Sequence, residues 1–271
     1  GGWDYSVVAD PKNQLMEEPT KTITARPEAL VVGSVVTWEL SIPVPTLNND
    51  ETFNEAVITD TLDSRLTYKA NSSTVTIGAT TLQDRTDYTV TGNAIWTLTP
   101  SGRVILNQNQ GRDLTITFQT TVDSVGNGTI PNDDYKSTFN GTTVPGEVVP
   151  HTYWGQLSIL KTDDSQNVLK GAEFQVFEKA ADAACPADAP AADSVATGTS
   201  DANGVVQWGA VTPTSPLGLW VANSDTPLTN PRKDYCVYET VVPAGHTAVA
   251  IDNPVTISAS ATAFDLTVVN T

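Results

Sequence analysis

Residues 114–122 read LTITFQTTV, a run in which apolar and polar side chains alternate along the chain. A period of two indicates a β-strand with one buried face, because successive side chains of a strand point to opposite faces. Similar runs, separated by Gly, Pro, Asn and Asp, occupy residues 35–42, 157–161, 172–178 and 264–270. Strands at this spacing predict an all-β chain of immunoglobulin-like β-sandwiches.

The composition is strongly acidic. The 271 residues include 14 Lys and Arg against 31 Asp and Glu, which gives a formal net charge of −17. Such a chain lacks the basic surface that neutralises phosphates, so nucleic acid binding and docking on anionic membranes are excluded. No run of 18 apolar residues is present, and the sequence therefore predicts no membrane-spanning segment.

The pattern of strands predicts two tandem sandwich domains. A boundary is expected in the segment VVPHT, because a fresh series of strands opens after it, and this gives domains of residues 1–152 and 153–271. Residues 179–200 are rich in Ala, Asp and Pro and are expected to form a surface insertion in the second domain. The best helix candidate is the Ala-rich stretch 178–185.

Ordinary catalytic and metal-binding motifs are missing from the sequence. Cys185 and Cys236 lack metal-ligand spacing, and one disulfide formed in an oxidising compartment is favoured over two buried thiols. His151 and His246 have no Cys or Asp at ligand spacing, and neither a nucleophile elbow nor a phosphate-binding loop occurs. The sequence therefore predicts no metal site and no cofactor, although calcium binding at the acidic loop 48–51 stays open beside a plain polar turn.

Three polar side chains fall on strand faces that should be buried. Lys161, Glu239 and Asn270 each continue the apolar face of a predicted strand. Burying them separately would be costly, so we expect them to meet. Burial lowers the pKa of an amine and raises that of a carboxyl, so a neutral lysine could attack the asparagine carbonyl while a protonated acid polarises it and moves protons as ammonia leaves. The product would be a Lys–Asn isopeptide bond; the simpler alternative is a Lys161–Glu239 ion pair with Asn270 merely terminal.

The residues around this trio resemble the CnaB-type domain of Gram-positive surface proteins. The matching segments are GxLxIxKxD at 155–163, LxGAxF at 169–174, a pilin E-box YCVYETxxPxGH at 235–246, and VVNT at 268–271. The E-box has His246 where the family has Tyr. Together these segments cover most of residues 155–271, and the resemblance implies that Lys161 and Asn270 are joined with Glu239 as the catalyst.

The first domain resembles the CnaA-like middle domain of backbone pilins. The matching segments are KTI at 21–23, GSVxxW at 33–38, FxxxVxxDTLDxxLxY at 53–68 and GTIPN at 128–132. The resemblance implies that Lys21 is the nucleophile, Asp60 the catalyst and Asn132 the acceptor. Two aspartates follow Asn132 where the family has a small apolar residue, so Asn140 is kept as a fallback acceptor. The simpler alternative for Lys21 is an exposed charge near the start of the chain.

The N-terminal segment resembles the pilin motif Trp-x3-Val-x-Val-Tyr-Pro-Lys. Trp3, Val7, Pro11 and Lys12 match it, whereas Ala9 and Asp10 replace Val and Tyr. In that family the motif lysine attacks the acyl-enzyme of a pilus sortase, so the resemblance implies that Lys12 links one subunit to the next.

These resemblances identify the chain as similar to sortase-assembled backbone pilins of the SpaA or fimbrial type. They imply a structural shaft subunit of an extracellular, cell-wall-anchored pilus, whose partners are other pilin subunits and a class C pilus sortase. They also imply that a sorting signal follows residue 271 and that another domain precedes residue 1. The alternatives are a tip or basal pilin or adhesin stalk that binds a host surface ligand, and a secreted carbohydrate-active enzyme.

Overall fold

The structure is a computed structural model and describes residues 16–271. It consists almost entirely of short β-strands, which confirms the all-β prediction. In chain order the elements are β1 (Thr20–Ala25), β2 (Val35–Pro43), β3 (Ala56–Thr61), β4 (Leu66–Tyr68), β5 (Thr74–Ile77), β6 (Thr80–Leu82), β7 (Tyr88–Thr91), β8 (Ile95–Leu98), α1 (Pro100–Asn107), β9 (Asp113–Val122), β10 (Thr129–Pro131), β11 (Asp134–Phe139), β12 (Thr142–Pro145), β13 (His151–Asp163), β14 (Glu173–Glu178), β15 (Ala196–Ser200), β16 (Val206–Trp208), β17 (Leu217–Ser224), β18 (Arg232–Val241), β19 (Val255–Ser258) and β20 (Phe264–Asn270).

The first sandwich consists of two sheets. One has the strand order β1-β2-β9-β5-β6, and β4 also pairs with its β9; the other has the order β12-β11-β3-β8-β7. Its centre is the strand predicted from the 114–122 run, since β9 pairs with β2, β4 and β5. The apolar side chains of β9 are fully buried between the sheets, as the period of two requires. Trp38, Trp96 and Phe118 are among the large side chains of this core.

The second sandwich pairs a sheet of order β10-β13-β17 with a sheet of order β16-β15-β14-β18-β19. The last strand, β20, pairs with β13 in parallel, and Lys161 and Thr162 lie opposite Val268 and Val269. The first and last strands of this sandwich are therefore neighbours. Their inward residues pack with those of β14 and β18 in a second core.

The two sandwiches are joined by backbone pairing. β10 lies in the sheet of the second sandwich, where it pairs with the start of β13, and Trp154 packs in the first core. On the other edge, the Val32 amide donates to the Gly218 carbonyl at 3.1 Å. A Cβ at Gly218 would lie 2.2 Å from a methyl of Val32, so this approach requires glycine. The cores separate near the expected boundary, and the division at residues 152 and 153 itself stays a prediction.

The helix prediction for residues 178–185 is wrong. Glu178 ends β14, and turns and irregular backbone follow it. The one α-helix within residues 16–271 is α1, where Thr99 caps the first turn by accepting from the Gly102 amide and Pro100 occupies the first position. Proline at this position loses no intrahelical hydrogen bond, because the first amides of a helix have no partner.

The predicted insertion is anchored by a disulfide. Cys185 and Cys236 are bonded, with their Cα atoms 5.7 Å apart, which confirms that prediction. Beside the bond, the Tyr238 hydroxyl donates to the Pro186 carbonyl at 2.7 Å, and the Tyr238 and Phe177 rings pack edge to face. The insertion thus covers the outer face of β14 and β18. Its expected last residues, 196–200, instead form β15 within the sheet.

Within residues 16–271, no helix is long and apolar enough to cross a membrane.

Candidate functional site

The first cluster joins three elements of the fold. Lys21 lies on β1, Asp60 on β3 of the facing sheet, and Asn132 directly after β10; all three are fully buried. The Lys21 Nζ lies 2.7 Å from Asp60 Oδ2 and donates to the Asn132 backbone carbonyl at 3.0 Å. The Asn132 Nδ2 donates to the same Asp60 oxygen at 3.3 Å. The structure therefore brings together the three residues that the CnaA-like resemblance named.

Burial dominates the electrostatics of this cluster. Removal from water lowers the pKa of Lys21 to about 8, although Asp60 acts in the opposite direction. Burial likewise raises the pKa of Asp60 above its ordinary value. Both shifts disfavour charge, so the pair moves toward a neutral amine and a protonated acid, which are the forms that nucleophilic attack on an amide requires.

The second cluster lies inside the second sandwich. Lys161 and Asn270 lie on the paired parallel strands β13 and β20, and Glu239 reaches them from β18 in the facing sheet. The Asn270 Nδ2 donates to Glu239 Oε1 at 2.8 Å, and the Lys161 Nζ lies 3.7 Å from Glu239 Oε2. Lys161 and Asn270 are fully buried, and the Glu239 side chain is 2% exposed. Burial lowers the pKa of Lys161.

The Lys161 amine also contacts the backbone. It donates to the carbonyls of Thr162 and Val268, each at 2.9 Å. The bond to Val268 brings the amine to β20, two residues before Asn270. The structure therefore brings together the trio that strand alternation predicted.

Unpaired oxygens concentrate in the two clusters. Among the described residues, six buried side-chain N and O atoms have no hydrogen-bond partner. Four of the six are oxygens of the clusters, namely Asp60 Oδ1, Asn132 Oδ1, Glu239 Oε2 and Asn270 Oδ1. Each cluster therefore holds one unpaired carboxyl oxygen and one unpaired amide oxygen. An unpaired buried oxygen is costly, so these atoms mark the clusters as unusual sites.

The fallback acceptor, Asn140, lies elsewhere in the first sandwich. It occupies the turn between β11 and β12, where its Oδ1 accepts from the amides of Asn54 and Glu55 and its Nδ2 donates to Thr52. These bonds use both ends of its side chain. The structure does not bring Asn140 to Lys21.

The other residues considered from sequence form no site of their own. Lys12 lies outside the described residues. His151 is buried and stacks on Tyr153, whereas His246 is half-buried. The acidic loop 48–51 is a turn closed by a Glu51 to Asn48 backbone bond, and no group of three or more potential metal ligands occurs within residues 16–271.

Sequence comparison relates the chain to known proteins that include a fimbrial subunit. Residues 17–149 match the family model of the Sgo0707 N2 domain. The fimbrial subunit type 2 of Actinomyces naeslundii is 29% identical over 91% of this chain. The chain is thus similar in sequence to a fimbrial subunit and to a fimbrial adhesin of known structure. This pilin homologue spans about half the length, 51%, of the curated relative that it matches.

Solved structures of pilins share its fold. The Actinomyces fimbrial adhesin FimA is 25% identical with a TM-score of 0.66, covering 94% of this chain and 99% of that one. Domains D2 and D3 of the major pilin SpaD from Corynebacterium diphtheriae are 22% identical with a TM-score of 0.68, covering 93% and 98%. The major pilin SpaA of the same species is 18% identical with a TM-score of 0.69, covering 94% of this chain and 69% of that one. Two tandem sandwiches are therefore the shared architecture.

Proposed function

We propose that this pilin homologue is the shaft subunit of a covalently assembled pilus, and that each of its two sandwiches forms its own Lys–Asn isopeptide bond. One bond joins Lys21 to Asn132, and the other joins Lys161 to Asn270. Asp60 and Glu239 act as the respective catalytic acids. Each reaction occurs once per molecule, so the chain is a structural protein.

The chemistry is an amide exchange that needs no external reactant. The neutral lysine Nζ attacks the asparagine Cγ, the new Nζ–Cγ bond forms, and the Cγ–Nδ2 bond breaks. The carboxylic acid gives its proton to the amide oxygen as the new bond forms, and the resulting carboxylate takes a proton from the attacking nitrogen and passes it to the departing one. The proton on the oxygen returns to the carboxyl group as the carbonyl re-forms. Ammonia is the leaving group, and the carboxyl group ends as it began.

The observation that carries this proposal is the composition of the two clusters. In each, a fully buried lysine meets a buried acid and a buried asparagine, and the carboxyl and amide each keep one unpaired oxygen. A protonated carboxyl would pair these two oxygens by donating from one to the other. The SpaA structure, described as pointing to a modular pilus assembly with stabilising isopeptide bonds, gives independent support.

Intact mass under non-reducing conditions tests both bonds together. We expect the chain to lack the mass of two ammonia molecules, and of two further hydrogens for the disulfide. Glu239→Ala should restore one ammonia and leave the first bond formed. A wild-type mass reduced only by the disulfide would refute the proposal.

The acceptor in the first sandwich needs a separate pair of variants. Asn132→Ala should abolish the peptide linked through Lys21, because no other asparagine contacts that amine among the described residues. Asn140→Ala is the matched control and should keep it. The reverse result would make Asn140 the acceptor.

Assembly into a fibre is the second half of the proposal. By its resemblance to the pilin motif, Lys12 is the nucleophile that a class C pilus sortase uses to join one subunit to the C-terminal threonine of another. The partners are then further copies of the subunit in an extracellular pilus anchored to the cell wall. Lys12→Ala should remove the ladder of covalent polymers in cells that assemble the pilus. A ladder that persists would favour a different attachment lysine.

A role in adhesion is the second candidate. It is favoured by the similarity to a structure described as the fimbrial adhesin FimA, with which this chain is 25% identical. A tip or basal pilin that binds a host surface ligand would be incorporated once per fibre. An unchanged polymer ladder in a strain that lacks this chain would favour that candidate.

A further inference from the structure

The Lys21 amine has a neighbour that the sequence patterns did not single out. The ring of Tyr135 has its centroid 4.3 Å from the Lys21 Nζ, and that of Trp38 lies 5.8 Å away. Tyr135 is 2% exposed and lies on β11 directly opposite Asp60 of β3. Because paired residues of neighbouring strands point to the same face, the ring and the carboxyl both reach the amine from one sheet.

The Tyr135 ring is itself held in place on two sides. Its hydroxyl donates to the Val148 carbonyl. Gly146 lies against its other side, and a Cβ there would come within 2.1 Å of the ring. The Gly146 amide also donates to the Tyr135 carbonyl at 2.8 Å. Residues 146–148 thus form a backing that fixes the ring.

We propose that Tyr135 is a positioning residue for the first cross-link, and that its ring, backed by Gly146, holds the Lys21 amine against Asp60 and Asn132. The inference rests on the proposed isopeptide function and adds a residue to it. Asp60 and the Asn132 carbonyl contact the amine, and the ring closes the side on which it could otherwise turn away. An amine fixed within reach of its target reacts faster than one that samples many positions.

In the second cluster the lysine amine is held in place without an aromatic ring. There the Lys161 amine is held by two backbone carbonyls, and no aromatic ring is in cation–π contact with it among the described residues. A change at Tyr135 should therefore slow the first bond and leave the second unaffected. The rate at which the second bond forms is therefore an internal reference within the same molecule.

The experiment follows both bonds in the same full-length chain. The chain is made by cell-free synthesis, samples are denatured at successive times, and the two linked peptides are quantified by mass spectrometry after proteolysis. We expect Tyr135→Leu to slow the Lys21–Asn132 peptide by on the order of tenfold or more, with the Lys161–Asn270 peptide unchanged. Tyr135→Phe keeps the ring and should restore a rate within about twofold of wild type.

Two further variants separate positioning from loss of stability. Phe139→Leu removes another buried ring from the same face of β11. The Phe139 ring packs on Phe53, with centroids 5.5 Å apart, and does not contact Lys21. It should leave the first bond at its normal rate. Gly146→Ala displaces the Tyr135 ring without altering it and should slow the first bond.

The outcomes distinguish this proposal from the function on which it rests. Three results for the rate of Lys21–Asn132 bond formation would each overturn the role of the ring. They are a wild-type rate in Tyr135→Leu, an equally slow rate in Phe139→Leu, and a rate in Tyr135→Phe that stays as slow as in Tyr135→Leu. If the wild-type chain yields neither linked peptide, the proposed cross-linking itself fails.

Discussion

In the first cluster the acid lies closer to the amine than to the amide, whereas in the second it lies closer to the amide. Asp60 Oδ2 lies 2.7 Å from the Lys21 Nζ and 3.3 Å from the Asn132 Nδ2. Glu239 lies 3.7 Å from the Lys161 Nζ but only 2.8 Å from the Asn270 Nδ2. Both clusters combine an amine, a carboxyl and an amide, and the order of the two distances is reversed.

The difference follows from where the strands lie. Lys161 and Asn270 project from adjacent parallel strands, so the amine has backbone acceptors at Thr162 of β13 and Val268 of β20, and the acid lies nearer the amide. Lys21 and Asn132 do not lie on paired strands, and the Lys21 amine contacts the Asp60 carboxyl and one backbone carbonyl, that of Asn132. In both clusters the amine contacts a backbone carbonyl as well as the acid, and the clusters differ in which partner lies closer to the acid.

The largest expected effect comes from removing each acid. Asp60→Asn and Glu239→Gln should each abolish one isopeptide bond. Each bond closes a loop of about 110 residues and restricts the unfolded chain, so its loss should lower the free energy of unfolding by about 5 kcal/mol. Asp60→Asn should cost about 1 kcal/mol more, because Lys21 then keeps one backbone acceptor, the Asn132 carbonyl, whereas Lys161 keeps the carbonyls of Thr162 and Val268. Denaturant unfolding, followed by hydrogen exchange in each sandwich, measures both losses.

The control for these variants is Asp265→Asn, which removes one exposed carboxylate from β20. It should leave both bonds and the free energy of unfolding unchanged. Equal destabilisation by Asp60→Asn and Glu239→Gln would remove the distinction between the two clusters.

The disulfide sharpens the comparison because only the second sandwich has one. Replacing both Cys185 and Cys236 with Ser opens a loop of 51 residues and should lower the free energy of unfolding of that sandwich by about 4 kcal/mol. The effect is best measured in the Glu239→Gln background, where the sandwich unfolds without a cross-link. Hydrogen exchange in the first sandwich should stay the same, and a comparable loss there would show that the two sandwiches unfold as one unit.

The smallest expected effect lies where the two sandwiches meet. Glu178 binds Arg26 and Lys233, and chiefly the hydrogen bond from Arg26 lowers its pKa to about 2. A lowered carboxyl pKa stabilises the fold at neutral pH, and this contribution is lost as the pH falls from about 4.5 toward 2. Arg26 is half exposed, so the contribution should be about 1 kcal/mol or less.

Glu178→Gln tests this contribution. The difference in unfolding free energy between wild type and variant should shrink as the pH falls to 2. Glu173→Gln, at an exposed position of the same strand, should show no such trend. A difference that is constant across this range would contradict the role of the ion pair.

The second cluster was predictable from sequence because its three residues lie on regular strands. Lys161, Glu239 and Asn270 continue apolar faces of period two in the sequence. The period is visible in the burial of the later part of β13 and the end of β20, whereas β18 is buried on both faces at residues 235–238, where the insertion covers it. Alternation could not show that β13 and β20 are parallel neighbours. That pairing joins segments far apart in the chain and depends on the whole sandwich.

The first cluster depended on resemblance, because Asn132 follows a three-residue strand that has no measurable period. Tyr135 was missed for a related reason: a tyrosine on a buried face is ordinary, and only the structure shows the amine against its ring. The helix α1 was missed although Thr99 and Pro100 carry its start signal. The Ala-rich stretch misled because Ala favours helices only where packing or caps support them.

Once both isopeptide bonds are formed, they determine which part of the chain carries a pulling force. Tension that enters at Lys21 would cross to Asn132, follow the backbone to Lys161, and leave through Asn270. Most of the first sandwich and nearly all of the second, including the disulfide-anchored insertion, would carry no load. The stretch that remains in series contains β11 and β12, which are held by hydrogen bonds to β3 and to each other. In a pulled fibre this hairpin would be the extensible element, and its unfolding would set how far each cross-linked subunit lengthens.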